Sequence, residues 1–303
     1  MKIGIIGLGK MGTPLALNLK DQGFEPIAYN RSKEKVDNIQ KEGVRGAYTL
    51  RELFDQLDEQ KILWMMLPAG EAVDTMLLQL EEYLKEDDIV IDGGNSNYKD
   101  TQRRYAALQK KGIHLIDVGT SGGIEGARNG ACMMVGGNSS SVGLLEDAFS
   151  KVCVPGGYAH VGPSGAGHYV KMVHNGIEYG MMQAMGEGFD LLQASEYDID
   201  YTQVAHLWQH GSVIRSWLME LAEAVFEKYP SLESLEDVVQ SSGEGLWTVE
   251  EGLRLKVPLP VITDALYARY DSQRKERFSN KLLAGLRNEF GGHPMKTKDS
   301  SNK

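Results

Sequence analysis

Apolar positions in the first half of the chain come in short runs of strand length. The segments between them carry apolar residues every three or four positions. Lys2–Gly7, Glu25–Tyr29, Lys61–Leu67, Asp88–Asp92, His114–Asp117 and Cys132–Val135 read as strands. Pro14–Gln22, Lys33–Glu42, Glu71–Leu84 and Lys99–Lys110 read as helices. This alternation predicts an α/β domain, a parallel sheet with helices on both faces, whose strands are near-continuously apolar because neither face meets water. From about Gly162 the helical period takes over: His168–Ala194, Tyr201–His210, Ser216–Phe226, Ser234–Gln240, Thr248–Lys256, Pro260–Arg277 and Lys281–Asn288 are the expected helices, and no strand pattern returns. The boundary falls in the glycine-rich stretch between Gly156 and Gly167.

Composition narrows the possibilities. With 303 residues, 42% hydrophobic and 24% charged, the chain is that of an ordinary globular protein. Its most apolar stretch, Ile62–Pro68, is far too short to cross a bilayer. The N-terminus leads directly into a strand pattern, so no signal or transit segment is expected. Cys132 and Cys153 have no metal-ligand spacing and are expected to be buried free thiols in a reducing cytoplasm, and no metal site is expected. A net charge of −10 repels nucleic acid and anionic membranes. It also means that an anionic substrate would need a local cluster of cations.

Gly7-Leu8-Gly9-Lys10-Met11-Gly12 follows the first strand and opens the first helix. The three glycines allow a tight turn, close backbone approach to a pyrophosphate and close helix–strand packing, with the phosphates at the positive end of the helix. In this context the motif predicts a Rossmann-type dinucleotide-binding domain over residues 1–162. An all-α catalytic and dimerisation domain over 163–293 and a flexible polar tail over 294–303 complete the expected organisation. The second strand ends in Asn30-Arg31-Ser32, where an NAD enzyme usually places a carboxylate for the ribose 2′-hydroxyl. An arginine attracts a 2′-phosphate, which leans the expectation toward NADP; with Arg31 simply solvated, NAD is accepted. Leu67 and Pro68 end one further strand and Asp92-Gly93-Gly94-Asn95-Ser96 another, on the edge where open α/β sheets bind ligands. Asn95 either reaches the nicotinamide or substrate or is a turn residue.

Ser121-Gly122-Gly123 follows another strand and offers N–H groups and a hydroxyl to a carboxylate or polyol. Downstream, Lys171, His174, Asn175 and Glu178 stand at i, i+3, i+4 and i+7, one helical face, while Val170, Met172, Val173, Ile177 and Met181 fill the rest. A helix this apolar is expected to be buried, with its polar stripe lining a cleft. There Lys171, neutral through desolvation and nearby cations, would take a hydroxyl proton as hydride leaves carbon. Glu178, kept protonated by burial, would return one later.

Lys-Met-Val-His-Asn-Gly-Ile-Glu-Tyr (171–179), with Gly119-Thr120-Ser121-Gly122-Gly123 and Asp92–Ser96 upstream, resembles the 6-phosphogluconate dehydrogenase family of the β-hydroxyacid dehydrogenases. Gly243–Thr248, Ala268-Arg269 and Arg287–His293 resemble further motifs of that family, so the likeness runs through nearly the whole chain. It implies oxidative decarboxylation of 6-phosphogluconate to ribulose 5-phosphate, with NADP or NAD. Lys171 would be the general base and Glu178 the acid. Asn95, Ser121, Gly122, Gly123, His174 and Asn175 would hold the sugar acid, and Tyr179, Arg269, Arg287 and His293 its phosphate. At 303 residues the chain resembles the family's short form. Leu246 stands where the long form has a phosphate-binding lysine, and Arg287 and His293 act in cis or from a neighbouring subunit of a homodimer or homotetramer. The competing readings are a dehydrogenase of an unphosphorylated hydroxy acid, which would leave those cations unpaired, and an inactive dinucleotide-binding protein, against which Lys171 and Glu178 speak.

Overall fold

The computed structural model describes residues 1–297; residues 298–303, on which most of the expected polar tail falls, lie outside the described residues. Eight strands, β1 (Lys2–Ile6), β2 (Glu25–Tyr29), β3 (Arg45–Ala47), β4 (Ile62–Met65), β5 (Ile89–Asp92), β6 (His114–Ser121), β7 (Ala131–Gly136) and β8 (Cys153–Gly162), form one sheet in the order β3-β2-β1-β4-β5-β6-β7-β8. All neighbouring pairs are parallel except β6 and β7, which is the first departure from the all-parallel expectation. The helices among and after these strands are α1 (Gly12–Asp21), α2 (Lys33–Lys41), α3 (Leu50–Gln56), α4 (Glu71–Leu80), α5 (Tyr98–Gln109), α6 (Gly123–Asn129), α7 (Ser139–Leu144), α8 (Glu146–Val152), α9 (Ala166–Gln193), α10 (Tyr201–Gln209), α11 (Trp217–Lys228), α12 (Gly243–Leu255), α13 (Pro260–Ser272) and α14 (Phe278–Gly291).

The strands are apolar throughout because each face of the sheet has its own core. Ile3, Ile5, Trp64, Ile89, Ile91, Ile116 and Val118 pack with Leu15, Ala16 and Leu19 of α1 and with Phe149 and Val152 of α8. Ile6, Ile27, Leu63, Met65, Val90 and Leu115 pack on the other side with Leu53, Val73, Leu77, Leu80 and Leu108 of α3, α4 and α5. Two-sided burial of alternate residues is what the continuous runs require. Strand order reverses at β1, which has β2 on one side and β4 on the other, and the glycine loop sits at the carboxyl end of β1, at this switch point.

Several elements differ from the sequence-based expectation. β8 occupies the stretch taken for a linker, because Gly156 and Gly157 fall where the ladder to β7 is irregular rather than where it ends. The Ser-Gly-Gly segment continues into a short helix, α6, instead of an open loop. Residues 234–240 form no helix. Leu232 has a positive φ of 58°, and Val239 is tied by its backbone to Ser272 Oγ and Gln273 Nε2 of the α13 region. The helix expected to run from Pro260 to Arg277 stops at Ser272, whose hydroxyl turns back to the carbonyl of Arg269. Cys153 is buried, and burial pushes its thiol up to about 12, but Cys132 is exposed, contrary to expectation. No described helix is long and apolar enough to cross a membrane.

The chain divides into two compact units: Met1–Glu178 with Gly243–Val257, and Tyr179–Ser242 with Pro258 onward. The division falls inside α9, whereas residue 162 marks the change from strands to helices. The first unit thus contains the sheet, the first half of α9 and α12. The second is helical, with a small apolar centre of Ala205, Met219 and Phe226 surrounded by Met185, Phe189, Tyr201 and Trp208.

In the first unit α12 is pinned by Glu251, which is 4% exposed, accepts from Arg254 at 2.5 Å and 2.7 Å, and accepts from Tyr98 Oη at 2.8 Å. The Arg254 guanidinium holds the Glu251 carboxyl down at about 2. A carboxylate lowered in this way stabilises the fold above its ordinary range and loses that contribution as pH falls toward its folded value. Glu251→Gln is expected to lower stability at pH 7 by about 1–3 kcal/mol. The gap from the parent should narrow as pH drops below roughly 5; urea unfolding at several pH values checks both, and a gap that widens in acid contradicts the assignment.

Candidate active site

The glycine loop has the shape that a pyrophosphate needs. Gly7 has φ +103°, and a Cβ there would lie 2.5 Å from the Met66 carbonyl oxygen. A Cβ on Gly12 would lie 1.9 Å from the Gly7 carbonyl oxygen, so α1 starts directly against β1. Gly9 instead faces open space, and α1 has no side-chain cap. An open glycine before an uncapped helix start is a cradle that a phosphate group fits. Leu8 N–H donates to Asn30 Oδ1 at 2.9 Å, so Asn30 braces the glycine loop. Arg31 and Ser32 are exposed at the start of α2, where Ser32 makes no side-chain cap bond. Lys10 is exposed and Met11 half-buried on the same loop.

Two more loops at the carboxyl edge are held by one buried guanidinium, which the sequence reading did not single out. Arg104, 2% exposed, reaches across from α5. Its Nε donates to Asp74 Oδ1 at 2.8 Å, Nη2 to the Gly70 carbonyl at 3.0 Å, and Nη1 to Ser96 Oγ at 3.2 Å and Asp92 Oδ2 at 3.5 Å. Asp92 also accepts from Gly94 N–H and Ser96 Oγ. The segment Leu67–Gly70 and the Asn95 loop are thereby fixed, with Pro68 and Asn95 exposed. Only the spacing of Arg104 on α5 signals this, and spacing alone cannot tell a surface arginine from a buried one.

The catalytic candidates depend on how α9 begins. Asp117, fully buried on β6, accepts from Gly165 N–H at 2.6 Å and His168 N–H at 2.9 Å, placing a carboxylate at the positive end of the helix. Contact there is too close for side chains: a Cβ on Gly167 would lie 2.5 Å from the Met134 carbonyl oxygen, and one on Gly119 would lie 2.3 Å from Lys171 Cβ. Seated in this way, α9 turns its polar stripe inward. Lys171 is 6% and Asn175 8% exposed, while Val170, Ile177 and Met181 are 39%, 52% and 42% exposed. The expectation that the apolar positions of α9 are all buried therefore fails for the single chain.

His174 is the hub of the stripe. Its Nε2 lies 3.2 Å from Ser121 Oγ, and its Nδ1 lies 3.4 Å from Lys171 Nζ, 3.1 Å from Asn175 Oδ1 and 3.8 Å from the Glu178 carboxylate. Ser121, Lys171, His174, Asn175 and Glu178 are thus brought together, with Gly122 and Gly123 at the start of α6 beside Ser121. Burial lowers the proton affinity of Lys171, against the opposing pull of Glu178, Glu244 and Cys132. The Glu178 side chain is 38% exposed, so the burial expected of it is not present. Glu244, on the first turn of α12, is 7% exposed, and its Oε2 has no hydrogen-bond partner. Among the described residues no group of His, Cys, Asp and Glu is arranged to hold a metal ion.

In the second unit, Arg269 lies over the Tyr179 ring at 3.6 Å and donates to the Gln240 carbonyl at 3.0 Å. The Tyr179 hydroxyl meets Ser242 at 3.1 Å. Arg287 and His293 are exposed on α14 and just beyond it, where Asn288 Nδ2 donates to the His293 carbonyl at 3.0 Å.

A doubly wound sheet followed by helices is shared with 3-hydroxyisobutyrate dehydrogenase from Salmonella typhimurium, whose structure covers 88% of this chain and 92% of its own with TM-score 0.72 at 21% identity. The two proteins therefore share a fold. Residues 2–161 match the NAD binding domain of 6-phosphogluconate dehydrogenase and residues 167–303 its C-terminal domain. The chain is 44% identical over 301 residues to the NAD(+)-dependent, decarboxylating 6-phosphogluconate dehydrogenase of Haloferax volcanii, covering 99% of this chain and 100% of that protein. It superposes with TM-score 0.84 on the Plasmodium falciparum 6-phosphogluconate dehydrogenase, solved apo, with NADP+ and with 6-phosphogluconate, at 30% identity over 100% of this chain and 67% of that one. The chain belongs to the 6-phosphogluconate dehydrogenase family.

Because Gly119 touches Lys171, an added methyl group there must push α9 off its seat. Gly119→Ala is expected to lower kcat by roughly ten- to a hundredfold while nucleotide affinity changes little; steady-state kinetics beside a nucleotide titration checks this, and an unaltered kcat contradicts it.

Proposed function

We propose that this chain catalyses the oxidative decarboxylation of 6-phosphogluconate to ribulose 5-phosphate and CO2. The observation that carries the reading is the cluster on α9, a desolvated amine beside an imidazole, an amide and a carboxyl, in the unit that also bears the glycine loop. Gly7–Gly12, Asn30–Ser32, Leu67, Pro68 and Asn95 would hold the nicotinamide dinucleotide, which when bound supplies the two-electron acceptor. Asn95, Ser121, Gly122, Gly123, His174 and Asn175 hold the sugar acid. Neutral Lys171 takes the proton of the C3 hydroxyl as C3 is oxidised. The resulting β-keto acid loses its carboxylate as CO2, leaving the electron pair in an enolate, and Glu178 gives a proton to C1 as the enolate becomes a ketone. His174, in contact with Lys171 and Ser121, orients both groups.

Tyr179, Arg269, Arg287 and His293 are the candidates for the substrate phosphate, and the two arginines are cations that a chain of net charge −10 must gather locally. Arg31 and Ser32 favour a 2′-phosphate, since no carboxylate stands at 30–32 to repel one. We place the protein in the cytoplasm, where both cysteines stay as thiols.

We also infer self-association, as a homodimer or homotetramer. α14 is 14 residues long with no buried residue, and Phe278, Leu282, Leu283, Leu286 and Phe290 are 75%, 53%, 56%, 49% and 78% exposed. A helix of that length is marginal in water without a partner surface. In the same unit a cavity of about 630 Å³ is walled by Met185, Phe189, Leu221 and Val225. A second copy of the chain is the partner assigned to these surfaces, and it would supply Arg287 and His293. Sedimentation equilibrium is expected to give at least twice the mass of one chain; a monomer at micromolar concentration overturns the inference.

The activity is tested by following nucleotide reduction with 6-phosphogluconate and with unphosphorylated gluconate, using NADP and NAD in turn. Lys171→Met is expected to abolish turnover, a loss of at least a thousandfold given what a positioned base contributes, with nucleotide binding retained. Wild-type-like turnover in that variant, or a preference for gluconate, overturns the assignment.

A further inference from the structure

α5 and α9 meet at their first turns. Thr101 Oγ1 of α5 lies 2.8 Å from His168 Nδ1 of α9, and the Tyr98 and Tyr169 rings meet edge to face with centroids 4.9 Å apart. Tyr98 and Thr101 stand at i and i+3, so one face of α5 meets two successive residues of α9. The Tyr98 hydroxyl also donates to Glu251 of α12 at 2.8 Å. Just ahead of α9 the approach is close as well: a Cβ on Gly165 would lie 3.0 Å from Gln102 Cγ and 3.4 Å from the Tyr98 carbonyl oxygen. All of these residues belong to the first unit.

The hydrogens of the Thr101–His168 bond follow from what surrounds it. Thr101 and His168 are 0% and 2% exposed, and His168 Nε2 has no hydrogen-bond partner. Were the hydroxyl to donate to Nδ1, the neutral ring would carry its hydrogen on Nε2, a buried N–H without an acceptor. With the hydrogen on Nδ1 instead, the ring donates to Thr101 Oγ1, the hydroxyl donates to the Asn97 carbonyl at 3.3 Å, and only a bare nitrogen is left unpaired. An orphaned buried donor is the costlier of the two. The bonds therefore run in one direction, from α9 through Thr101 to Asn97. Asn97 caps α5, accepting from Lys99 N–H, and stands two residues after Asn95.

We propose that the His168–Thr101 bond, backed by Tyr98 on Tyr169, is a clamp that sets the placement of the Asn95 loop relative to Lys171. His168 and Thr101 are positioning residues. The backbone of His168 is seated on Asp117 and its side chain on α5, and Lys171 follows one turn later. On the loop, Asn95 is followed by Ser96, which Asp92 and Arg104 hold, and by Asn97, which the clamp holds through Thr101. Oxidising an alcohol carbon requires the amine and the nicotinamide to address that carbon together, and a misplacement of about 1 Å there costs on the order of a hundredfold in rate.

The inference rests on the roles given above to Lys171 and Asn95. Thr101→Val keeps the shape of the side chain and removes the hydroxyl. It is expected to lower kcat with 6-phosphogluconate, counted per nucleotide-binding site, by roughly three- to tenfold, with nucleotide affinity near that of wild type. Thr101→Ser, which returns the hydroxyl, should restore most of the loss. A bond that only stabilises the fold would lower the melting temperature and leave kcat per site at the wild-type value, and that result overturns the proposal. Should Thr101→Val not melt cooperatively, Tyr98→Phe, which releases Tyr98 from Glu251, is read in the same way: a fall in kcat per site supports the clamp and a wild-type value overturns it. Turnover that survives Lys171→Met instead overturns the reading of α9. An inactive Lys171→Met beside an unaltered Thr101→Val overturns the clamp alone.

Discussion

The candidate chemistry of this chain depends on the seat of one helix end. Asp117, buried in β6, accepts amide hydrogens from Gly165, just before α9, and His168, in its first turn, and the glycines at 119 and 167 remove the side chains that would hold the helix away. A carboxylate without solvent is tolerable here because it is fully hydrogen-bonded and faces the positive end of a helix. Lys171 stands one turn beyond that end, and His174, Asn175 and Glu178 follow at the same angle. Their positions are therefore fixed by backbone contacts to the sheet rather than by the side chains' own preferences.

That seat accounts for the inversion of α9. Amphipathic helices ordinarily bury apolar residues and expose polar ones. Here Lys171 and Asn175 are buried while Val170, Ile177 and Met181 are exposed. Desolvating an amine is unfavourable in itself, and its immediate effect is to make the neutral form accessible at lower pH. The exposed apolar side is the complementary feature, and it fits the proposed self-association.

Much of this was legible in the sequence, for identifiable reasons. Six of the eight strands announced themselves because a sheet buried on both faces leaves long apolar runs, and the glycine loop was placed by its position between a strand and a helix. The i, i+3, i+4, i+7 spacing of Lys171, His174, Asn175 and Glu178 was enough to put them on one face. β3 was missed because three residues carry no period, and β8 because its glycines look like a linker. Asp117 and Arg104 were invisible as supports, since nothing local distinguishes a buried charge from a solvated one. The exposure of Cys132 likewise depends on what covers β7, which composition does not encode.

Arg104 also bears on how the protein can be altered. A single guanidinium binds the Gly70 carbonyl on one loop and Ser96 and Asp92 on the next. The two loops are therefore not separate modules for an engineer: a new sequence grafted between Leu67 and Gly70 would loosen the footing of Asn95 as well.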